Sequence, residues 1–224
     1  MQDLGKVHQL IIHLGGYDVT LNIEVIVMTW IVIAALIFFG YAATKGAGFV
    51  PRSFQVLGEL FVDAFYKITE DALDKERAEK YGPLVCALFM FLMFSNWLGI
   101  IPNLEEPTKD LNTPLGLGIM GFVIAHYAGI RSKGFKAYAK EYFQPMFFMM
   151  PLNVIGELSK IVSISFRLFG NIMGGAIIIL VVSHLTYSIV LPPLLNAFFG
   201  LFVGTIQAFV FTMLTVVYIS VQVK

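Results

Sequence analysis

Residues 25–43 form an apolar run without a single charged side chain, with Trp30 and Tyr41 near its ends. About 20 such residues cross the hydrocarbon core of a bilayer as a helix, and amphipathic rings settle at headgroup depth. Four more apolar stretches follow, at 83–101, 114–130, 143–184 and 194–221. With 58% of residues hydrophobic, 13% charged and a mean hydropathy of +0.79, a soluble domain of this length has no interior large enough to hide so much apolar surface. The expected fold class is therefore an all-α integral membrane protein of about five membrane-embedded helices, with a long tilted C-terminal helical hairpin and an amphipathic interfacial helix. The N-terminus lacks a basic stretch leading straight into an apolar core and cleavage site. A removable signal peptide is not expected, and the first helix serves as its own insertion signal.

Charge placement predicts the topology. The segment 131–141 carries Arg131, Lys133, Lys136 and Lys140 against Glu141, which marks a cytoplasmic loop by the positive-inside rule. The loop between Pro102 and Pro114 carries Glu105, Glu106 and Asp110 against Lys109 and is read as external. Counting passes puts the N-terminus outside and Lys224 in the cytoplasm. Between the first two spans, Phe54, Leu57, Phe61, Phe65 and Ile68 recur every three or four residues, with Glu59, Asp63 and Lys67 interleaved. That spacing predicts an amphipathic helix on the membrane or a partner, continuing as solvated helix through the mixed-charge stretch 70–80.

The chain thus reads as one membrane domain, 1–224: a first span at 24–48, an amphipathic cytoplasmic-side helix at 53–80, two spans within 83–130, and a tilted hairpin at 145–224. The stretch 143–184 would exceed about 60 Å as one helix, roughly twice a hydrocarbon core, so it must tilt or bend, with Pro145 and Pro151 offering breaks. Gly121, Ala125 and Gly129 make a small-residue stripe on the third span that permits close helix contact. Cys86, the sole cysteine, excludes an internal disulfide and reads as a packing residue. The formal net charge of zero gives no basis for a nucleic-acid partner. No phosphate-cradling glycine loop, cysteine cluster or zinc-like histidine spacing is evident, so neither an enzyme nor a cofactor is expected.

The chemistry concentrates on the long C-terminal stretch. At 3.6 residues per turn, Lys160, Ser163, Arg167, Asn171 and Gly174 share one narrow stripe, with Glu157 close to its edge. Arg167 is surrounded by apolar residues, and a guanidinium keeps its charge where a buried lysine sheds it. Holding that charge at depth costs at least about 2.5 kcal/mol, so an intramembrane arginine is functional by default. Snorkelling suits arginines nearer a helix end, and Glu157 lies ten residues away on the same helix, too far to pair. The last helix supplies a second stripe of Asn196, Gly200, Val203, Gln207 and Leu214, with Tyr218 beside it. Gln207 either bonds the guanidinium, lines a hydrated path or makes an ordinary interhelical hydrogen bond. His126 and His184 titrate in the physiological range but read more naturally as packing histidines.

Ser159-Lys160, Ser163 through Asn171 (SISFRLFGN) and Gln207 through Phe211 (QAFVF) resemble subunit a of the F-type rotary ATP synthase. Asn96 before 98–102, the loop 107–113, and 133–134 through 151–153 follow the same family, while the first 50 residues match loosely. The resemblance implies a non-catalytic, ion-translocating stator subunit of a bacterial inner membrane. Two half-channels would pass ions to and from a carboxylate on a ring of c subunits, alongside the b-subunit peripheral stalk and membrane lipid. Arg167 would attract the emptied ring carboxylate and block direct leakage, and Gln207 would support it. Asn171, Ser163, Lys160, Asn96 and Asn112 would line or shape the half-channels, with Glu157 and Tyr218 completing the candidate set. Many proton-driven relatives carry a titratable pair nine residues after the arginine and seven before the glutamine. Those places hold Ala176 and Gly200 here. Protons are the expected coupling ion, with sodium as the alternative and an independent secondary transporter or channel as the competing function.

Overall fold

The computed structural model describes residues 9–14, 17–45, 53–101, 104–143, 148, 150–185 and 191–224. The break read at Pro145 and the loop boundary at Pro102 lie outside those residues. Each expected span is a helix. Among the described residues, Ile23–Thr44, Lys75–Leu98, Asn112–Lys133, Met150–Leu185 and Leu191–Val223 are long and apolar enough to cross a membrane. The molecule is an all-α integral membrane protein, preceded by one short hairpin that the sequence reading did not anticipate. Strands β1 (Gln9–Leu14) and β2 (Tyr17–Asn22) pair antiparallel with Leu14 opposite Tyr17. Asn22 Nδ2 donates to Asp110 Oδ2, which fastens the hairpin to the acidic loop.

Helix α1 (Ile23–Thr44) buries only Val32, as expected of a helix facing mostly lipid. Helix α2 (Ser53–Leu73) is amphipathic, and Phe61 and Phe65 of its apolar face lie against a neighbouring span. Phe65 stacks 4.4 Å from Phe89 of helix α3 (Lys75–Leu98), and Phe61 lies 6.2 Å from the same ring. The chain must reverse to bring these faces together, and it does so at Asp74, whose φ of 77° with ψ of 155° is a backbone conformation that residues with side chains rarely adopt. The stretch 70–80, expected as one continuous helix, is therefore divided. Its second half forms the first turns of α3, where Arg77 Nη1 meets Asp74 Oδ2 at 3.1 Å.

After a 3₁₀ turn at Pro107–Lys109, helix α4 (Asn112–Lys133) runs back and is followed by the short helix α5 (Phe135–Tyr142). The predicted small-residue stripe is the reason α4 can lie so close to the last helix. A Cβ on Gly121 would sit 3.2 Å from Thr215, and one on Gly129 would sit 2.8 Å from the Gln222 carbonyl oxygen. Helix α6 (Met150–Leu185) is unbroken, about 54 Å long against a hydrocarbon core of roughly 30 Å, so it cannot stand upright in a bilayer. Pro151 does not break it. As the second residue of the helix it occupies a position whose N–H has no intrahelical acceptor in any case.

The return arm begins at Leu191, three residues before the predicted start, because Pro192 and Pro193 fall inside the first turn of α7 (Leu191–Ala197). It continues through a π-helical turn, Phe198–Val203, into α8 (Gly204–Val223). The core sits where α3, α4, α6 and α8 meet, around Val85, Leu92, Ala125, Leu168, Ala208 and Phe211. Cys86 packs against this cluster, as expected. α6 contributes only one edge to it, and most of its surface is exposed.

Candidate functional site

On α6 the buried edge is Ile161, Ile164, Ser165 and Leu168, fixed in part by Ser165 Oγ donating to the Pro114 carbonyl at 3.1 Å. Helical period then turns Ser163, Arg167 and Asn171 outward, and all three are exposed. Arg167 therefore stands on an apolar outer face between Val162, Phe166 and Met173, themselves exposed. Among the described residues it makes no ion pair. Glu157, dismissed on spacing as its partner, is taken by Lys160 at 2.5 Å, and Lys160 Nζ also lies 5.6 Å from the Tyr218 ring centroid.

One turn beyond Arg167, Asn171 Nδ2 donates to Gln207 Oε1 of α8 at 2.6 Å. Of the three readings for Gln207, the interhelical bond is the one formed, and its acceptor is Gln207 itself. Its own amide nitrogen is buried without a partner. Behind Gln207, Asn96 Nδ2 donates to the Gly204 carbonyl at 2.8 Å and Asn96 Oδ1 accepts from Thr108 Oγ1 at 2.9 Å. One amide thus ties α3, α8 and the 3₁₀ turn together. Asn96→Ala is expected to lower stability by about 1–2 kcal/mol, since hydrogen bonds between membrane helices are individually modest. Thermal unfolding of the detergent-solubilised assembly checks this, with Asn96→Asp as the variant that keeps an acceptor for Thr108.

Two cavities open on either side of the Arg167 level. The first, about 750 Å³, is lined by Asn96, Glu106, Asn171, Ala176, Asn196 and Gln207, among others, and sits at the end of the bundle carrying the acidic loop. The second, about 330 Å³, is lined by Glu141, Asn153, Gly156, Glu157, Lys160 and Gln222 at the opposite, basic end. Arg167 lines neither. On the helix, Asn171 lies four residues to one side and Lys160 seven to the other, about 6 and 10 Å along the axis. The two cavities are thus separated along α6 by the stretch 161–170, in which Arg167 is the one charged side chain.

A family model described as the ATP synthase A chain matches residues 26–220. The chain is 37% identical over 210 residues to ATP synthase subunit a of Moorella thermoacetica, an overlap of 94% of each chain. It is 34% identical over 223 residues to ATP synthase subunit a 2 of a Bradyrhizobium species, covering 100% of this chain and 97% of that one. It is also 35% identical over 221 residues to the chloroplast subunit a of Stigeoclonium helveticum, covering 94% of this chain and 88% of the alga's. The chain belongs to the ATP synthase A chain family.

For this family member the sequence-derived site divides in three. Asn96, Asn171 and Gln207 converge on the first cavity, and Lys160 and Glu157 on the second, with Tyr218 beside Lys160. Ser163 and Asn112 are exposed and line neither, although the Asn112 N–H donates to Asp110 Oδ1 at 3.0 Å. Glu106 is the residue that sequence reasoning passed over. Read as one of several loop carboxylates, it instead folds inward, so that a Cβ built on Gly99 would fall inside its Cγ and Oε1. Burial pushes its carboxyl up to about 7, against the pull of Lys109 and with a small push from Glu105. Lys109 itself lies 3.6 Å from Glu105 Oε1. The available signal was Pro107, which stiffens the turn next to it, but nothing in the sequence says which way Glu106 points.

Proposed function

We propose that this chain is the ion-translocating stator subunit of a rotary ATP synthase, with the two cavities as the inner parts of two half-channels. The observation that carries this reading is the position of Arg167. It is a permanent cation on an exposed apolar face, between the two cavities and, among the described residues, without a carboxylate partner. Such a charge needs a counter-ion in the membrane, and a carboxylate on a neighbouring ring of c subunits supplies one. A ring carboxylate that has released its ion is held at Arg167, and a cation moving directly from one cavity to the other is repelled there. The ion must therefore travel on the ring.

The exposed apolar face of α6 is then the rotor-facing surface, and the orphan amide nitrogen of Gln207 is a donor near the point of exchange. The basic end, with Arg77, Lys80, Arg131, Lys133, Lys136 and Lys140, lies in the cytoplasm, so the N-terminal hairpin and the first cavity lie outside. The b-subunit stalk and lipid cover other exposed faces. Protons are the coupling ion, and ATP chemistry takes place on other subunits.

Affinity purification tests the assignment. The stator reading expects the chain to co-isolate with a ring of c subunits and a b stalk, and to carry no current in liposomes on its own. Ion or solute transport by the isolated chain would overturn it. Hydrolysis by the whole complex at fixed pH separates the ions: independence of sodium supports protons, and strict dependence on sodium excludes them.

A further inference from the structure

Two carboxylates line the first cavity, Glu105 and Glu106, and Glu106 is the one turned inward over Gly99. We infer that Glu106 is the proton-relaying group of the outer half-channel, taking the part that Ala176 on α6 and Gly200 on the return arm, which carry no titratable group, cannot play. The inference rests on the half-channel reading above. Its basis is geometric. Glu106 lines the same 750 Å³ space as Ala176, Asn171 and Gln207, so a proton on its carboxyl shares one cavity with the groups nearest Arg167. Its side chain is turned over the backbone of Gly99, a contact that any side chain at that position would obstruct. Asn196 Nδ2 donates to the Gly99 carbonyl at 3.3 Å, which holds this end of α3 against α7.

The charged groups around Glu106 are few. Glu105 and Lys109 act on it from its own loop and line the same cavity, and Asp110 follows them in sequence. α3, α6 and the return arm offer the cavity neutral groups, Asn96, Asn171, Ser183, Asn196 and Gln207, with His184 next to Ser183 outside the lining. Lys109 pairs with Glu105, and among the described residues no cation lies within ion-pair distance of Glu106. Burial in those surroundings pushes the carboxyl up to about 7, into the range where it takes up and releases a proton close to neutral pH. That suits a proton carrier and makes a poor sodium ligand, which must stay ionised.

The step balances simply. The Glu106 carboxylate accepts a proton from the outer water, becoming the neutral acid. It then releases that proton through water in the cavity to an ionised ring carboxylate near Arg167 and is itself a carboxylate again. A cavity of this volume has room for a water chain, since liquid water occupies about 30 Å³ per molecule.

The test uses the whole complex in membrane vesicles, with proton conduction and ATP synthesis measured between about pH 6 and 8, a range spanning the shifted carboxyl and lying well above an ordinary glutamate. Glu106→Gln keeps the shape and loses the titration. Its conduction is expected to fall by about tenfold or more and to lose its pH dependence near neutrality. Glu106→Asp is expected to keep most of the conduction with a displaced pH profile, which a merely structural role would not produce. Gly99→Ala, which pushes the carboxyl away without removing it, is expected to lower conduction in the same direction. Unaltered conduction and pH profile in Glu106→Gln overturn the inference. If that variant fails to assemble, a flat conduction profile of the unaltered complex over this range overturns it as well. Arg167→Ala run in parallel keeps the two readings apart. Synthesis lost there but intact in Glu106→Gln removes Glu106 alone, and synthesis intact in Arg167→Ala removes the half-channel reading beneath it.

Discussion

Arg167→Ala is expected to abolish ion-driven ATP synthesis while leaving the chain assembled with its partners. Two unit charges about 4 Å apart attract by roughly 4 kcal/mol at an effective dielectric near 20, which corresponds to about three orders of magnitude in the occupancy of the paired state. Without that attraction an emptied ring carboxylate has no reason to pause between the half-channels. Assembly survives because Arg167 is exposed and makes no ion pair within the described chain, so its removal costs no internal contact. Arg167→Lys is expected to fail almost as completely. A lysine ammonium is a single point donor, and in a dehydrated contact it sheds its proton, whereas the guanidinium stays charged and presents a planar fork to a carboxylate. The check is synthesis in energised vesicles, with ring and stalk co-purification as the assembly control.

Gly204→Val is expected to have the second largest effect, and by an opposite route, through loss of the assembly itself. A Cβ on Gly204 would lie 2.8 Å from the Asn96 Cβ, and Asn96 cannot yield because its amide is bonded to Gly204 on one side and Thr108 on the other. Overpacking of this kind costs about 1–3 kcal/mol, and a branched side chain lies toward the upper limit. α8 would be levered away from α3, taking Gln207 from Asn171. The measurement is the yield of folded chain in the purified complex, with Gly116→Ala as the control, since a Cβ at Gly116 meets nothing within 4 Å. Equal yields for the two variants contradict the close crossing.

Much of this architecture is legible in the sequence because bilayer physics leaves little choice. Uncharged runs of sufficient length must be helices, and the small-residue stripe of Gly121, Ala125 and Gly129 identifies the packing face of α4 before any partner is known. Helical period also placed Ser163, Arg167 and Asn171 on one face of α6. What it does not convey is which face the rest of the chain covers. The mixed-charge stretch 70–80 looked continuous because the reversal at Asp74 is driven by Phe61 and Phe65 meeting Phe89, a contact across 24 or more residues. Pro151 looked like a break because proline reads the same at the first turn of a helix as inside one.

Glu106 shows the same limit in the site. A carboxylate beside Glu105, Lys109 and Asp110 looks like ordinary loop polarity. Its inward turn depends on the absence of a side chain at Gly99, seven residues earlier. Gln207 was recognisable as a polar group at depth, but its bond to Asn171 depends on the exact rotation of two helices, which spacing alone does not define.

The central claim, that two separate aqueous paths end on either side of Arg167, is tested most directly by sided thiol labelling. Replacing Cys86 with alanine removes the native thiol, after which single cysteines at Ala176 and Ser183 report on the first cavity and those at Asn153 and Gly156 on the second. With a membrane-impermeant reagent, Ala176→Cys and Ser183→Cys are expected to react only from the outer side, and Asn153→Cys and Gly156→Cys only from the cytoplasmic side. Labelling of all four positions from a single side would mean one continuous path past Arg167 and would contradict the account.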